Sequence, residues 1–263
     1  TTIGSPDTEP LDLLWLALTA LVVVSIVRDT ERTSLRPETW QMWALTSILG
    51  VSVAAQVLTW RGGSLLLFPL AIIVVLVTLS EYAHEGRVFY RIVHLVWGFG
   101  IASMLTVSTH LLFGWLQAYR AITPMLLLIG SVGTVGFFEA MARQNIGKQK
   151  AAGIFGILGV VGLALLWNLI PPVSTGIFEF VEYMQSYTWS SISETQSIFS
   201  PGQGGVISPL SHLGPQVAFG IVGLIGLTWI AITRRIPGWV VIITYGWFFW
   251  VLSAIQLRFA VYN

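Results

Sequence analysis

The sequence predicts an all-α membrane protein, a polytopic bundle of about eight transmembrane helices with one long external loop. Three observations lead there. Mean hydropathy is +0.78 and only 10% of residues are charged, against about a quarter in soluble domains. Eight apolar runs have the length of membrane spans. All connections but one are short. The composition, 55% hydrophobic, excludes a water-soluble globule and a disordered chain. A net charge of +1 provides no basic surface for nucleic acid. With no cysteine in the chain, disulfides, thiolate metal sites and a cysteine nucleophile are all excluded.

The runs span 11–27, 40–60, 64–79, 92–113, 122–138, 151–170, 217–232 and 236–257. Crossing a hydrocarbon core takes about 17 to 25 residues, and the two shorter runs can borrow a residue or two from their flanks. Helices are expected, because barrel strands are alternating segments of roughly ten residues and these runs are apolar on every face. The segment before the first run lacks a basic stretch and reaches polar Ser5, Pro6, Asp7, Thr8 and Glu9, so it does not read as a signal peptide. It reads as the middle of a longer protein.

Orientation follows from the basic residues. Alternate loops hold Arg28, Arg32, Arg36, Arg87, Arg91, Arg143, Lys148, Lys150, Arg234 and Arg235, whereas the other set holds Arg61, Arg120 and Arg258. Positive loops stay in the cytosol. Both ends of the chain and the loop 171–216 are therefore expected on the non-cytosolic side.

Three runs carry glycine at every third position: Gly130, Gly133 and Gly136; Gly153, Gly156, Gly159 and Gly162; and Gly220, Gly223 and Gly226. Close helix packing is the expectation, since small residues let helix backbones approach in lipid. Ionisable groups inside the runs are few. Glu139, His94 and His110 lie toward run ends and read as interfacial or packed polar residues, which argues against an ion pathway or transporter.

The loop 171–216 is 46 residues long, a length usually functional or disordered. Its first part, 177–184, mixes apolar and acidic residues and suits a helix at the membrane surface. A polar stretch, 190–196, follows, and then a flexible Ser-Pro-Gly-Gln-Gly-Gly segment at 200–205. By crossing parity Asp7, Glu9, Glu194 and Arg258 share the non-cytosolic face. Carboxylates gathered there would suit a hard divalent cation, Mg2+ or Mn2+. Each residue also has a simpler reading. Asp7 through Pro10 make a good helix start, Glu194 fits an ordinary solvated acid, and Arg258 fits a snorkelling anchor.

Three motifs resemble a known family. The segment 1–9 (TTIGSPDTE) is similar to the second DxD-type motif of the catalytic subunit of oligosaccharyltransferase, the enzyme of protein N-glycosylation. Ser191, Ile192, Ser193 and Glu194 resemble that family's SVSE or TIxE motif in its fifth external loop. Arg258, Phe259 and Tyr262 resemble the arginine segment after its eleventh span. Motif order, side and span count agree. The resemblance covers nearly the whole chain but only the central part of a family member, a partial transmembrane catalytic domain over 1–263. The family's first external loop with its catalytic Asp, and its C-terminal soluble domain with the WWDYG motif, have no counterpart here.

The resemblance implies a GT-C glycosyltransferase-like fold, with a lipid-linked oligosaccharide donor on dolichol phosphate or diphosphate and an Asn-x-Ser/Thr acceptor polypeptide. It implies metal ligation by Asp7, Glu9 and Glu194, catalytic roles for Asp7 and Glu194, and donor-phosphate binding by Arg258. It also implies placement in a membrane, the plasma membrane in an archaeon of the AglB type or the endoplasmic reticulum membrane in a eukaryote, with the site on the non-cytosolic side. The nearest alternative is another polyprenyl-phosphate glycosyltransferase, such as a protein O-mannosyltransferase; a transporter or flippase stands further off.

Overall fold

The computed structural model describes residues 9–28, 40–59, 63–85, 90–114, 118–169, 216–234 and 237–255. Among them are eight α-helices and no strand: α1 (Glu9–Arg28), α2 (Trp40–Thr59), α3 (Phe68–Glu85), α4 (Tyr90–Phe113), α5 (Ala118–Arg143), α6 (Lys148–Leu169), α7 (Gln216–Arg234) and α8 (Pro237–Ile255). Each contains one of the eight apolar runs or most of it. By length and composition three helical stretches suffice to cross a membrane, Trp40–Thr59, Ile92–Phe113 and Arg120–Arg143, and four shorter apolar stretches accompany them. At a rise of 1.5 Å per residue, the 20 residues of α2 cover about 30 Å, the thickness of a hydrocarbon core.

The third run differs from expectation. Gly63–Leu67 forms a 3-10 turn, and the α-helix opens only at Phe68, with Pro69 in its first turn. Proline lacks an N–H to donate and its fixed φ suits a helix start, so it moves the boundary downstream. Gly63 is needed in the turn, because a β-carbon there would lie 1.9 Å from the Gln56 carbonyl oxygen.

The chain divides into two units, Thr1–Leu166 and Trp167–Asn263. In the first, α2 packs against α1 and α4, α4 against α5, and α3 chiefly against α5. Buried positions recur at three- and four-residue intervals: Leu16, Thr19, Val22, Val23, Ile26 and Val27 on α1, and Met42, Thr46, Leu49, Val53, Gln56 and Val57 on α2. Leu14 and Leu21 face outward, as apolar side chains do on a lipid-facing surface.

The glycines that allow close approach are not those of the three-residue stripes. Gly50 of α2 and Gly98 of α4 meet at the α2–α4 crossing. A β-carbon on Gly50 would stand 2.6 Å from Ile101 Cβ and 2.8 Å from the Gly98 carbonyl oxygen, and one on Gly98 would stand 2.7 Å from Leu49 Cδ2. At every glycine of the three stripes, by contrast, an added β-carbon meets nothing within 4 Å among the described residues. Spacing alone misled here, since positions three apart advance by 300° on a helix and drift off any single face.

At one end of this unit, α3, α5 and α6 close around an aromatic cluster. Tyr82 and Phe138 have centroids 5.3 Å apart, and Phe138 and Phe155 5.1 Å apart. The α5–α6 turn is a Schellman cap. Asn145 takes a left-handed φ of 53°, its N–H reaches the Ala142 carbonyl at 3.1 Å, and the Ile146 N–H reaches Met141 O at 3.1 Å. Tyr82 Oη then donates to the Ile146 carbonyl at 2.5 Å, and Lys148 Nζ donates to the Ala83 carbonyl. Tyr82→Phe strands a turn carbonyl and is expected to cost about 1 kcal/mol. Tyr245, whose buried hydroxyl has no hydrogen-bond partner among the described residues, is the control: thermal unfolding in detergent should shift for Tyr82→Phe and much less for Tyr245→Phe.

In the second unit α7 and α8 form a helical pair. Trp247 Nε1 donates to Thr228 Oγ1 at 3.0 Å, and Gly246 lies against the Leu224 side chain.

Candidate functional site

The Glu9 end of α1, the Thr59 end of α2, the turn Gly63–Leu67 and the Ala118 end of α5 lie at one end of the first unit. Their contacts are polar and specific. The Gln56 amide, 1% exposed, donates from Nε2 to the Trp15 carbonyl at 3.0 Å and to Thr19 Oγ1 at 2.5 Å. Thr19 Oγ1 lies 2.9 Å from Ser52 Oγ, which donates to Leu49 O at 3.0 Å and so has lone pairs free to accept. Thr19 has one hydroxyl proton and two acceptors in reach, Ser52 Oγ and the Trp15 carbonyl at 2.8 Å, so Gln56, Thr19 and Ser52 form one buried polar cluster that ties α2 to α1. In lipid such interhelical bonds are worth about 0.6 to 2 kcal/mol each.

The guanidinium of Arg120 donates to the carbonyls of Val57 and Leu58. The last carbonyls of a helix have no intrahelical donor and carry the negative end of its dipole. Arg120 supplies both charge and hydrogen bonds there, tying the end of α2 to the start of α5. Pro124, inside α5, withholds the N–H that would otherwise bond the Arg120 carbonyl, a loss tolerated where neighbours can re-satisfy the backbone.

Of the residues singled out in the sequence, Glu9 lies among the described residues, as the first residue of α1. Asp7, Ser191, Ile192, Ser193, Glu194 and Arg258 lie outside them, as does the loop 171–216 up to the start of α7. Among the described residues no group of three His, Asp or Glu gathers as a metal site; the carboxylates proposed as ligands are not within that set, save for Glu9 at its edge. Glu139 and His94 match their reading as interfacial or packed polar residues. Glu139 pairs with Arg143 one turn on, at 3.2 Å on an exposed face, and His94 is buried with its Nδ1 2.8 Å from Thr46 Oγ1.

Sequence reasoning missed Gln56, Thr19, Ser52 and Arg120. Arg120 entered only the charge count that set orientation, and uncharged polar residues inside the apolar runs were not weighed. A glutamine in the middle of the run 40–60 was the available signal, because a buried amide needs partners. Glu81 lies beyond the apolar run 64–79, whereas α3 continues to Glu85 and buries it.

Among the described residues the fold is an all-helical bundle. Two solved structures share it. One is the archaeal oligosaccharyltransferase AglB from Archaeoglobus fulgidus in complex with an inhibitory peptide and a dolichol-phosphate, with TM-score 0.78 and 14% identity. The other is the Archaeoglobus fulgidus oligosaccharyltransferase in its apo form, with TM-score 0.72 and 15% identity. Each match covers 97% of this chain and 31% of the other, so the chain spans about a third of the structures it resembles. No family model matches the sequence, and no curated protein sequence does.

Proposed function

We propose that this chain is the central membrane part of an oligosaccharyltransferase, which moves an oligosaccharide from a dolichol-phosphate or diphosphate donor to the amide of an Asn-x-Ser/Thr acceptor. One observation carries the reading: a fold matching 97% of the chain to an enzyme solved with a peptide and a dolichol-phosphate. The sequence motifs support it independently, through their order along the chain.

The acceptor amide is a poor nucleophile, because its lone pair is delocalised into the carbonyl; the comparable peptide resonance gives a rotation barrier of about 18 to 20 kcal/mol. Glu194 would accept hydrogen bonds from the amide N–H groups and weaken that delocalisation. Asp7, Glu9 and Glu194 offer only carboxylate oxygens, a donor set that fits Mg2+ or Mn2+. Such an ion, when bound, would supply Lewis-acid stabilisation of charge on the departing phosphate. Arg258 would hold that phosphate, with a planar fork that gives two parallel hydrogen bonds where lysine gives a point charge. The donor's isoprenoid chain buries about 0.8 kcal/mol per CH2 and stays in the bilayer, so the chemistry belongs at the membrane surface. The charge distribution supports a site on the non-cytosolic side, which in an archaeon would be the outer face of the plasma membrane.

The test offers the complete protein, in membranes with lipid-linked oligosaccharide, an Asn-x-Ser/Thr peptide beside a Ser/Thr-rich peptide lacking the asparagine. Glycan on the asparagine peptide alone is the expected result. Transfer to the hydroxyl peptide would identify a protein O-glycosyltransferase instead.

A further inference from the structure

We propose that Gln56 is a positioning residue, whose side-chain amide pins the Glu9 end of α1 to α2 and thereby sets the height and rotation of the first turn of α1. The inference rests on the oligosaccharyltransferase reading for its consequence, but its geometry stands without it. Both N–H groups of Gln56 are spent on α1, one on the Trp15 carbonyl and one on Thr19 Oγ1. Those acceptor atoms sit side by side, because Thr19 Oγ1 reaches back to the Trp15 carbonyl of the preceding turn at 2.8 Å. Apolar contacts tolerate sliding and rotation of one helix on another, whereas two directed hydrogen bonds to one polar point on α1 hold a single register; a slip of one turn moves a helix by about 5.4 Å and would carry that point out of reach.

The pin is itself anchored. Arg120 fixes the end of α2 through Val57 and Leu58, the residues immediately after Gln56, and Ser52 adds a second link to Thr19 one turn earlier. Restraint thus passes from α5 to α2 and from α2 to α1. Trp15 is six residues beyond Glu9, about 9 Å along the axis, so the bonds act within two turns of the helix start.

The experiment uses the complete protein reconstituted in lipid. Residues 1–263 contain no cysteine, so Leu14→Cys on α1 and Leu111→Cys on α4, both exposed positions, accept nitroxide labels once any cysteines elsewhere are replaced. Pulsed electron paramagnetic resonance then reads the distance between them. In Gln56→Leu the distribution should broaden or shift by at least about one residue rise, 1.5 Å. The Mn2+ concentration for half-maximal transfer should rise about tenfold, with the KM for acceptor peptide within twofold, a split that general loosening of the fold would not give. Thr19→Val should show the same pattern more weakly, and serves if Gln56→Leu fails to accumulate. An unshifted, narrow distribution in both variants overturns the pin. A shifted distribution with an unchanged Mn2+ requirement overturns its role in the site. A wild-type protein that shows no transfer to the asparagine peptide overturns the oligosaccharyltransferase reading, while the distance measurement still decides the pin.

Discussion

Glu194→Gln in the complete protein should lower transfer to an Asn-x-Ser/Thr peptide by at least about a hundredfold, the scale on which removal of one transition-state contact acts. The substitution keeps the side chain's size and removes its charge. Glutamine cannot accept from the amide N–H groups as a carboxylate does, and it is a weaker ligand for a hard cation. Loss should therefore fall on kcat, with donor and peptide KM changing little. The measurement is steady-state glycopeptide formation at saturating donor. Wild-type kcat in Glu194→Gln would remove the residue from the reaction and with it the resemblance of 191–194 to the family motif.

The largest expected effect on stability belongs to Gly50. Its missing β-carbon faces Ile101 Cβ and the Gly98 carbonyl, a branched carbon and a backbone atom, neither of which can turn aside. Gly50→Ala should cost about 2 kcal/mol or more by overpacking. Gly98→Ala meets Leu49 Cδ2, Cγ and Cβ at 2.7, 2.9 and 3.2 Å; a rotamer change clears the first two but not Cβ, so the cost should be smaller than at Gly50 but still about 1 kcal/mol or more. Gly133→Ala, Gly156→Ala and Gly223→Ala meet nothing within 4 Å among the described residues and should be neutral, or stabilising by up to about 1 kcal/mol through helix propensity. Thermal unfolding of the five variants in detergent checks the order. A loss at Gly156 or Gly223 matching that at Gly50 would restore the stripes as packing seams.

The fold was largely legible in the sequence because hydropathy acts at the scale of whole helices. A run of about twenty apolar residues cannot stay in water, and its backbone cannot stay unbonded in lipid. Boundaries were less legible, as at Phe68, where a proline and a tight glycine turn reset the helix start. Packing was least legible. The sequence shows where glycine stands, but contact depends on which face meets which neighbour, so Gly50 and Gly98 drew no notice while the periodic stripes did. For the candidate site, the motifs named Asp7, Glu9, Glu194 and Arg258 by type and order. The hydrogen bonds of Gln56, Thr19 and Arg120 that join α1, α2 and α5 are silent in the sequence, because a hydrogen bond between helices depends on depth and rotation as well as on composition.

The order in which helices follow one another along the chain differs from the order in which they pack. α3 lies between α2 and α4 in sequence, yet α2 and α4 close directly on each other and α3 finds its main neighbour in α5. A ribosome-bound intermediate that has released α3 but not yet made α5 carries the inward face of α3, with Leu70, Ile73, Val74, Val77 and Glu81, before its partner exists. In the bilayer the leucine, isoleucine and valine of that face can wait against acyl chains, so the α3–α5 contact forms late, after roughly sixty further residues have been synthesised.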